Sequence, residues 1–210
     1  MRGRPASGGP GELSEWRMQG NAPTQNIADT EGVDAQAPVA RACPKVLLHE
    51  HLDGGLRVAT LLELLHARGL PAPADDVPAL SRWFDERAHA GSLVEYLRGF
   101  ALTVSAMATP EAMERVAFEA AEDAVREGCV LAEFRIAPLL FEPFGVAPDA
   151  AVEALVAGLA RARRDCGLPS GLIVCAMREQ PPEHIARAAA LALRHLGQGV
   201  DPGIGTAGHH

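Results

Sequence analysis

Apolar residues begin to recur with regular spacing only at Val46, and from there the spacing switches repeatedly between two periods. Residues 1–42 are rich in Gly, Pro, Ala, Asn and Gln and carry almost no apolar periodicity, so burial cannot offset the entropy of ordering them. A disordered leader is expected there. Residues 46–51 read as the first strand, and a helix is expected over 58–68, stopping at Gly69, a residue suited to the left-handed C′ position. Residues 71–79, rich in Pro and Asp, read as a connection. Leu93, Tyr96, Leu97 and Phe100 stand at i, i+3, i+4 and i+7, which predicts a helix over 92–106. Thr109-Pro110 supplies an N-cap and a proline at N1 for a helix over 110–127, closed by Gly128. A second strand over 129–136, a helix over 148–166 closed by Gly167, a third strand over 171–177 and a helix over 182–196 complete the pattern. Beyond Gly199 strand character is lost. The predicted organisation is a leader over 1–42, one domain over 43–199 and an aberrant or disordered tail over 200–210.

Strands that alternate with helices and are apolar nearly throughout indicate a parallel sheet covered by helices, an α/β fold. A closed (β/α)8 barrel takes roughly 250 residues. The stretch from Val46 onward suffices for three strands and their helices, so the expectation is the N-terminal part of a (β/α)8 TIM barrel, incomplete in this chain. A truncated or frame-shifted reading frame is the expected reason.

Composition narrows the partners. Hydrophobic residues make up 48% of the chain, enough to bury a sizeable core. The net charge of −8, with no clustered basic patch, argues against a nucleic-acid surface and leaves small molecules as the default. No run of 18 apolar residues is present for a membrane helix, and the N-terminus lacks an apolar signal core. Cys43, Cys129, Cys166 and Cys175 show no Cys-x-x-Cys spacing, so reduced structural thiols in a cytoplasmic protein are expected.

The chemistry concentrates at the end of the first strand. Strict alternation sets Leu47, His49, His51 and Asp53 on one face, opposite Val46, Leu48 and Glu50. The two histidines then lie roughly 6.5 Å apart along the strand, within reach of one Zn2+ at about 2.0–2.1 Å from each nitrogen. With eight histidines in 210 residues, a His-x-His pair arises by chance in roughly one such sequence in three, so context has to decide. That context is an apolar run before the pair and a Gly54-Gly55 turn after it. Competing structural readings are ordinary strand-end histidines, a turn aspartate at Asp53 bonding its own glycine backbone, and a core-facing stripe at Leu93, Tyr96, Leu97 and Phe100. Arg135 and Arg178, after strand runs, read as structural ion-pair residues. The terminal His209-His210 pair has no predicted strand beneath it.

Four blocks in order resemble the adenosine deaminase family of zinc-dependent amidohydrolases. They are His49-Glu50-His51-Leu52-Asp53-Gly54-Gly55-Leu56-Arg57 with Thr60-Leu61-Leu62-Glu63-Leu64; Ser92-Leu93 through Tyr96-Leu97-Arg98-Gly99-Phe100; Ala132-Glu133-Phe134-Arg135-Ile136-Ala137-Pro138; and Cys175-Ala176-Met177-Arg178-Glu179-Gln180-Pro181. The resemblance implies that His49 and His51 bind zinc at the C-terminal end of the first strand, the face on which barrel enzymes build their sites. Zinc there lowers the pKa of water to about 7 for attack on C6 of adenine, with loss of ammonia. It also implies that His51 touches the substrate, that Asp53 hydrogen-bonds the ribose 5′-hydroxyl, and that Leu93, Tyr96, Leu97 and Phe100 cover the purine. Asp at position 53 favours a nucleoside over a free base, for which relatives carry Glu.

The family's third zinc histidine, its zinc aspartate, a further histidine and its proton-shuttling glutamate would all lie beyond the last residue. No catalytic residue of that set is therefore assigned within this chain. Thr206-Ala207-Gly208 has a weak likeness to a later strand block, and Gly208 is not assigned. The function implied is zinc-dependent deamination of adenosine or deoxyadenosine, with the chain inactive by itself. The alternatives are a non-catalytic remnant or a related amidohydrolase such as an aminofutalosine or adenine deaminase. Residues 53–57 and the third-strand block argue against a cyclic-amide hydrolase. The signature of the deaminases that act on nucleic acid, His-x-Glu with Pro-Cys-x-x-Cys, does not occur.

Overall fold

A computed structural model describes residues 40–198, 200–201 and 206–207. Of the expected leader only 40–42 fall within these residues. They form a helical turn against the start of the second strand, where a Cβ on Gly128 would stand 1.9 Å from the Arg41 carbonyl oxygen. Gly208, His209 and His210 lie outside the described residues.

The elements run β1 (Lys45–His51), α1 (Val58–Ala67), α2 (Val77–Ala88), α3 (Leu93–Ala106), α4 (Pro110–Arg126), β2 (Cys129–Ile136), a 3₁₀ helix (Pro138–Phe144), α5 (Pro148–Cys166), β3 (Ser170–Val174), β4 (Ala176–Met177), α6 (Pro182–Arg194), β5 (Val200–Asp201) and β6 (Thr206–Ala207). Strands β1, β2, β3 and β5 form one sheet in that spatial order, every pairing parallel, with β1 at an edge. The expected α/β fold with a parallel sheet is present. No single helix among the described residues is long and apolar enough to cross a membrane.

Several caps act where the sequence puts them. The Thr109 side chain accepts the Ala112 amide at 3.1 Å, and Gly167 takes the left-handed conformation after α5 with φ +77°. Several elements differ from expectation. Helix α2 occupies part of the stretch read as a connection; its Asp76 cap accepts the Ala79 amide at 2.7 Å and Pro78 stands in its first turn. Those start signals were present, but α2 buries fully only Leu80, so its apolar stripe is weak. The strand expected over 171–177 breaks at Cys175, and Ala176–Met177 leave the main sheet to pair with Thr206–Ala207. The tail keeps strand character, because Val200–Asp201 register with Leu172–Ile173. Two-residue strands carry no period of their own and exist only through their partners.

The main core lies between the sheet and the α4–α5 pair, where Phe134, Ile136, Leu172 and Val174 meet Met113, Val116 and Leu155. Helices α4 and α5 approach so closely that a Cβ on Gly158 would fall 2.2 Å from the Glu114 carbonyl oxygen. A polar network ties α1 to α4. Arg57 donates to Asp123 and Glu122, Thr60 Oγ1 donates to Glu119 at 2.6 Å, and Arg115 joins Glu119 to Glu63. This network anchors the turn that follows the histidine pair.

Candidate active site

Strand β1 does not alternate strictly. Leu47 registers with Ala132 and Glu50 with Phe134, so β1 takes three steps where β2 takes two, and one extra residue is bulged. His49 adopts φ +63°, a conformation that costs a non-glycine residue about 1–2 kcal/mol. The expected faces are corrected accordingly. Leu47 and Glu50 follow Ala132 and Phe134 toward the helix side, whereas His51 registers with Arg135 on the inner side. Alternation assumed uniform extended backbone, and the left-handed residue breaks it. The bulge brings the His49 and His51 rings to 5.8 Å between centroids, inclined at 68°.

Asp53 is buried at 7% exposure. The Gly54 and Gly55 amides both donate to the His51 carbonyl at 3.0 Å, so the Asp53 carboxylate is not what closes its own turn. Its Oδ1 is buried without a hydrogen-bond partner among the described residues, 3.5 Å from His51 Nδ1. An orphaned buried carboxylate oxygen calls for a donor from elsewhere. Gly54 leaves room for the Phe100 ring, which would be 3.2 Å from a Cβ at that position.

Helix α3 brings part of the expected stripe to this turn. Phe100 packs edge-on against the His51 ring at 6.0 Å and against Tyr96 at 5.4 Å. Tyr96 is exposed and Leu97 half-buried, and neither they nor Phe100 join the core clusters. The core contacts of α3 come from Leu102, Val104 and Ala106, which argues against reading the stripe as ordinary core. The Leu93 side chain lies outside the described residues.

Sequence reasoning missed two features. Arg135, expected in a structural ion pair, is 5% exposed and directs Nη1 at His49 Nε2, while its Nη2 has no partner among the described residues. It also faces the Cys175 thiol, whose pKa is pushed up by burial against the opposing pull of Arg135. Arg178 is exposed. The second feature is a cavity of about 210 Å3 at the C-terminal ends of β2 and β3, lined by Ala137, Leu140, Cys175, Met177, Gln180 and His184 among others. The third-strand block held the signal for it, but the opposite wall comes from the 3₁₀ helix, which has no sequence period.

Among the described residues no group of three or more His, Cys, Asp or Glu side chains could hold a metal. The residues present fit a partial zinc site. His51 turns Nδ1 toward Asp53, which leaves Nε2 available, and His49 offers Nε2 once Arg135 gives way. An open catalytic zinc centre uses three protein ligands, of which this pair would supply two.

Comparison with known proteins accords with this arrangement. The family model for adenosine deaminase matches residues 44–209. The adenosine deaminase of Mycobacterium avium (strain 104) is 42% identical over 164 residues, covering 76% of this chain and 45% of the relative. The chain thus spans under half the length of that relative. Among solved structures, a zinc-bound amidohydrolase from Burkholderia ambifaria superimposes with a TM-score of 0.71 at 26% identity, covering 84% of this chain and 46% of that one. The Arabidopsis N6-mAMP deaminase gives 0.68 at 26% identity, with 81% and 52% covered. This chain belongs to the adenosine deaminase family and has the fold of the N-terminal part of its (β/α)8 barrel.

Proposed function

We propose that this chain carries the first part of a zinc-dependent adenosine deaminase site, which hydrolyses adenosine or deoxyadenosine to inosine or deoxyinosine and ammonia in the cytoplasm. His49 and His51 are two of the zinc ligands. Zinc, when bound, supplies the Lewis acidity that activates water at neutral pH. Asp53 accepts a hydrogen bond from the ribose 5′-hydroxyl, His51 contacts the nucleoside, and Leu93, Tyr96, Leu97 and Phe100 cover the purine and exclude water. The remaining zinc ligands and the proton shuttle are not assigned to residues of this chain.

The observation that carries this reading is the orphaned Oδ1 of Asp53, buried beside His51. It also weighs against a nucleotide substrate such as that named for the Arabidopsis relative, because a carboxylate there repels a 5′-phosphate and accepts from a 5′-hydroxyl.

Calorimetric titration tests the reading. Zinc binding is expected to disappear in the H49A/H51A double variant. With zinc present, Asp53→Ala is expected to weaken adenosine by about 1.5–3 kcal/mol, the range for a hydrogen bond to a charged group, and to leave 5′-deoxyadenosine unaffected. Undiminished zinc binding in the double variant, or equal loss of both nucleosides on Asp53→Ala, would overturn it.

A further inference from the structure

We infer that Thr103 of helix α3 is a positioning residue for Asp53. This rests on the reading of Asp53 as the group that recognises the sugar. The Thr103 side chain is buried at 5% exposure, and its Oγ1 lies 2.6 Å from the Asp53 carbonyl oxygen. The same hydroxyl is 3.0 Å from the Phe100 carbonyl oxygen, the usual target of a helical threonine within its own helix. A hydroxyl has one proton to give, and the shorter contact to Asp53 takes it.

The consequence lies in what else holds Asp53. Its Oδ1 has no hydrogen-bond partner among the described residues and only His51 Nδ1 near it at 3.5 Å, so the backbone is the firmer constraint on the direction of the carboxylate. On the N-terminal side that backbone is fixed by the Leu52 amide donating to the Arg135 carbonyl at 3.1 Å and by the fully buried Leu52 side chain. Beyond Asp53 stand Gly54 and Gly55, conformationally the freest of residues, whose amides close the turn on the His51 carbonyl but leave the Asp53 carbonyl itself unheld by the turn. The Thr103 hydroxyl supplies the missing tie at the Asp53 carbonyl, and one turn earlier Phe100 packs over Gly54. The C-terminal half of α3 is therefore a clamp on the recognition turn, whereas Val94 and Tyr96 in its N-terminal half remain exposed.

Valine is nearly isosteric with threonine and of similar helix propensity, so Thr103→Val removes the tie with little other change. Hydrogen exchange on the full chain, resolved at Gly54 and Gly55 and at the α4 amides, gives a readout independent of any ligand. In T103V the glycine amides are expected to exchange about tenfold faster, with α4 unchanged, and T103S is expected to restore the original rate. Unchanged glycine exchange, or equal acceleration in α4, would overturn the inference. With zinc present, the affinity ratio of adenosine to 5′-deoxyadenosine is expected to fall about fivefold or more in T103V and to recover in T103S, with zinc affinity constant. If the unmodified chain binds no adenosine, the proposed function fails while the exchange result still judges Thr103. If the adenosine preference is present and T103V moves neither measurement, the Thr103 inference alone fails.

Discussion

Asp123 and Arg57 show how single residues hold the site in place from outside it. A hydrogen bond from Arg57 keeps the Asp123 carboxyl below the usual carboxylate range; burial opposes that, and the nearby charges of Arg57 and Arg126 add to it. Folding thus lowers the affinity of Asp123 for its proton. The stabilisation is complete above the unfolded carboxylate value of about 3.9 and fades as the pH falls through the lower folded value. The Asp123 side chain is 40% exposed, so solvent screening limits the contribution of the pair to about 0.5–1 kcal/mol. Urea unfolding of Asp123→Asn is expected to show that deficit at pH 7, to begin to close it below about pH 4 and to converge with the parent chain only below the lowered folded value. A deficit that persists undiminished into acid would assign it to packing instead. The block from His49 to Arg57 was legible as a family signature, because its residue types, their spacing and the glycine turn all lie within one short segment, while the left-handed conformation of His49 was not.

At the scale of elements, the α4–α5 contact sets the spacing of the layer behind the sheet. In an exposed helix interior Gly→Ala gains up to about 1 kcal/mol through propensity. Gly158 inverts that sign, because its added Cβ would meet the Glu114 carbonyl oxygen at 2.2 Å and the Ala117 Cβ at 2.9 Å. Gly158→Ala is expected to destabilise the fold by about 1–3 kcal/mol, the usual cost of overpacking. Thermal denaturation checks this, and a raised midpoint would refute the close approach. Helices with a strong stripe or a clear cap were readable, as at Thr109 and Gly167. Helix α2 and the 3₁₀ helix were not, because one buries little and the other has no apolar period to display.

For the whole molecule, the open edge of the sheet matters most. Strand β1 stands at that edge with Val46 50% and Leu48 62% exposed, and Leu131 of the neighbouring β2 is 42% exposed. Among the described residues β1 pairs on one side only, and a parallel edge with apolar side chains is a template for association. Light scattering of the 210-residue chain is expected to show concentration-dependent self-association, and Leu48→Lys to reduce it while leaving circular dichroism unchanged. Equal association in both chains would place the sticky surface elsewhere.

The main alternation of strands and helices, the caps at Thr109 and Gly167 and the α/β class followed from the sequence alone. Periodicity, capping and turn chemistry act over a few residues, so the chain displays them locally. Tertiary structure decided the bulge that brings the two histidine rings to 5.8 Å, the approach of Arg135 to His49 across 86 positions, and the tie from Thr103 to Asp53 across 50. It also decided the pairing of the two-residue strands β5 and β6. Each of these depends on register and on hydrogen bonds to distant partners, whose free energy exists only once the layers have packed.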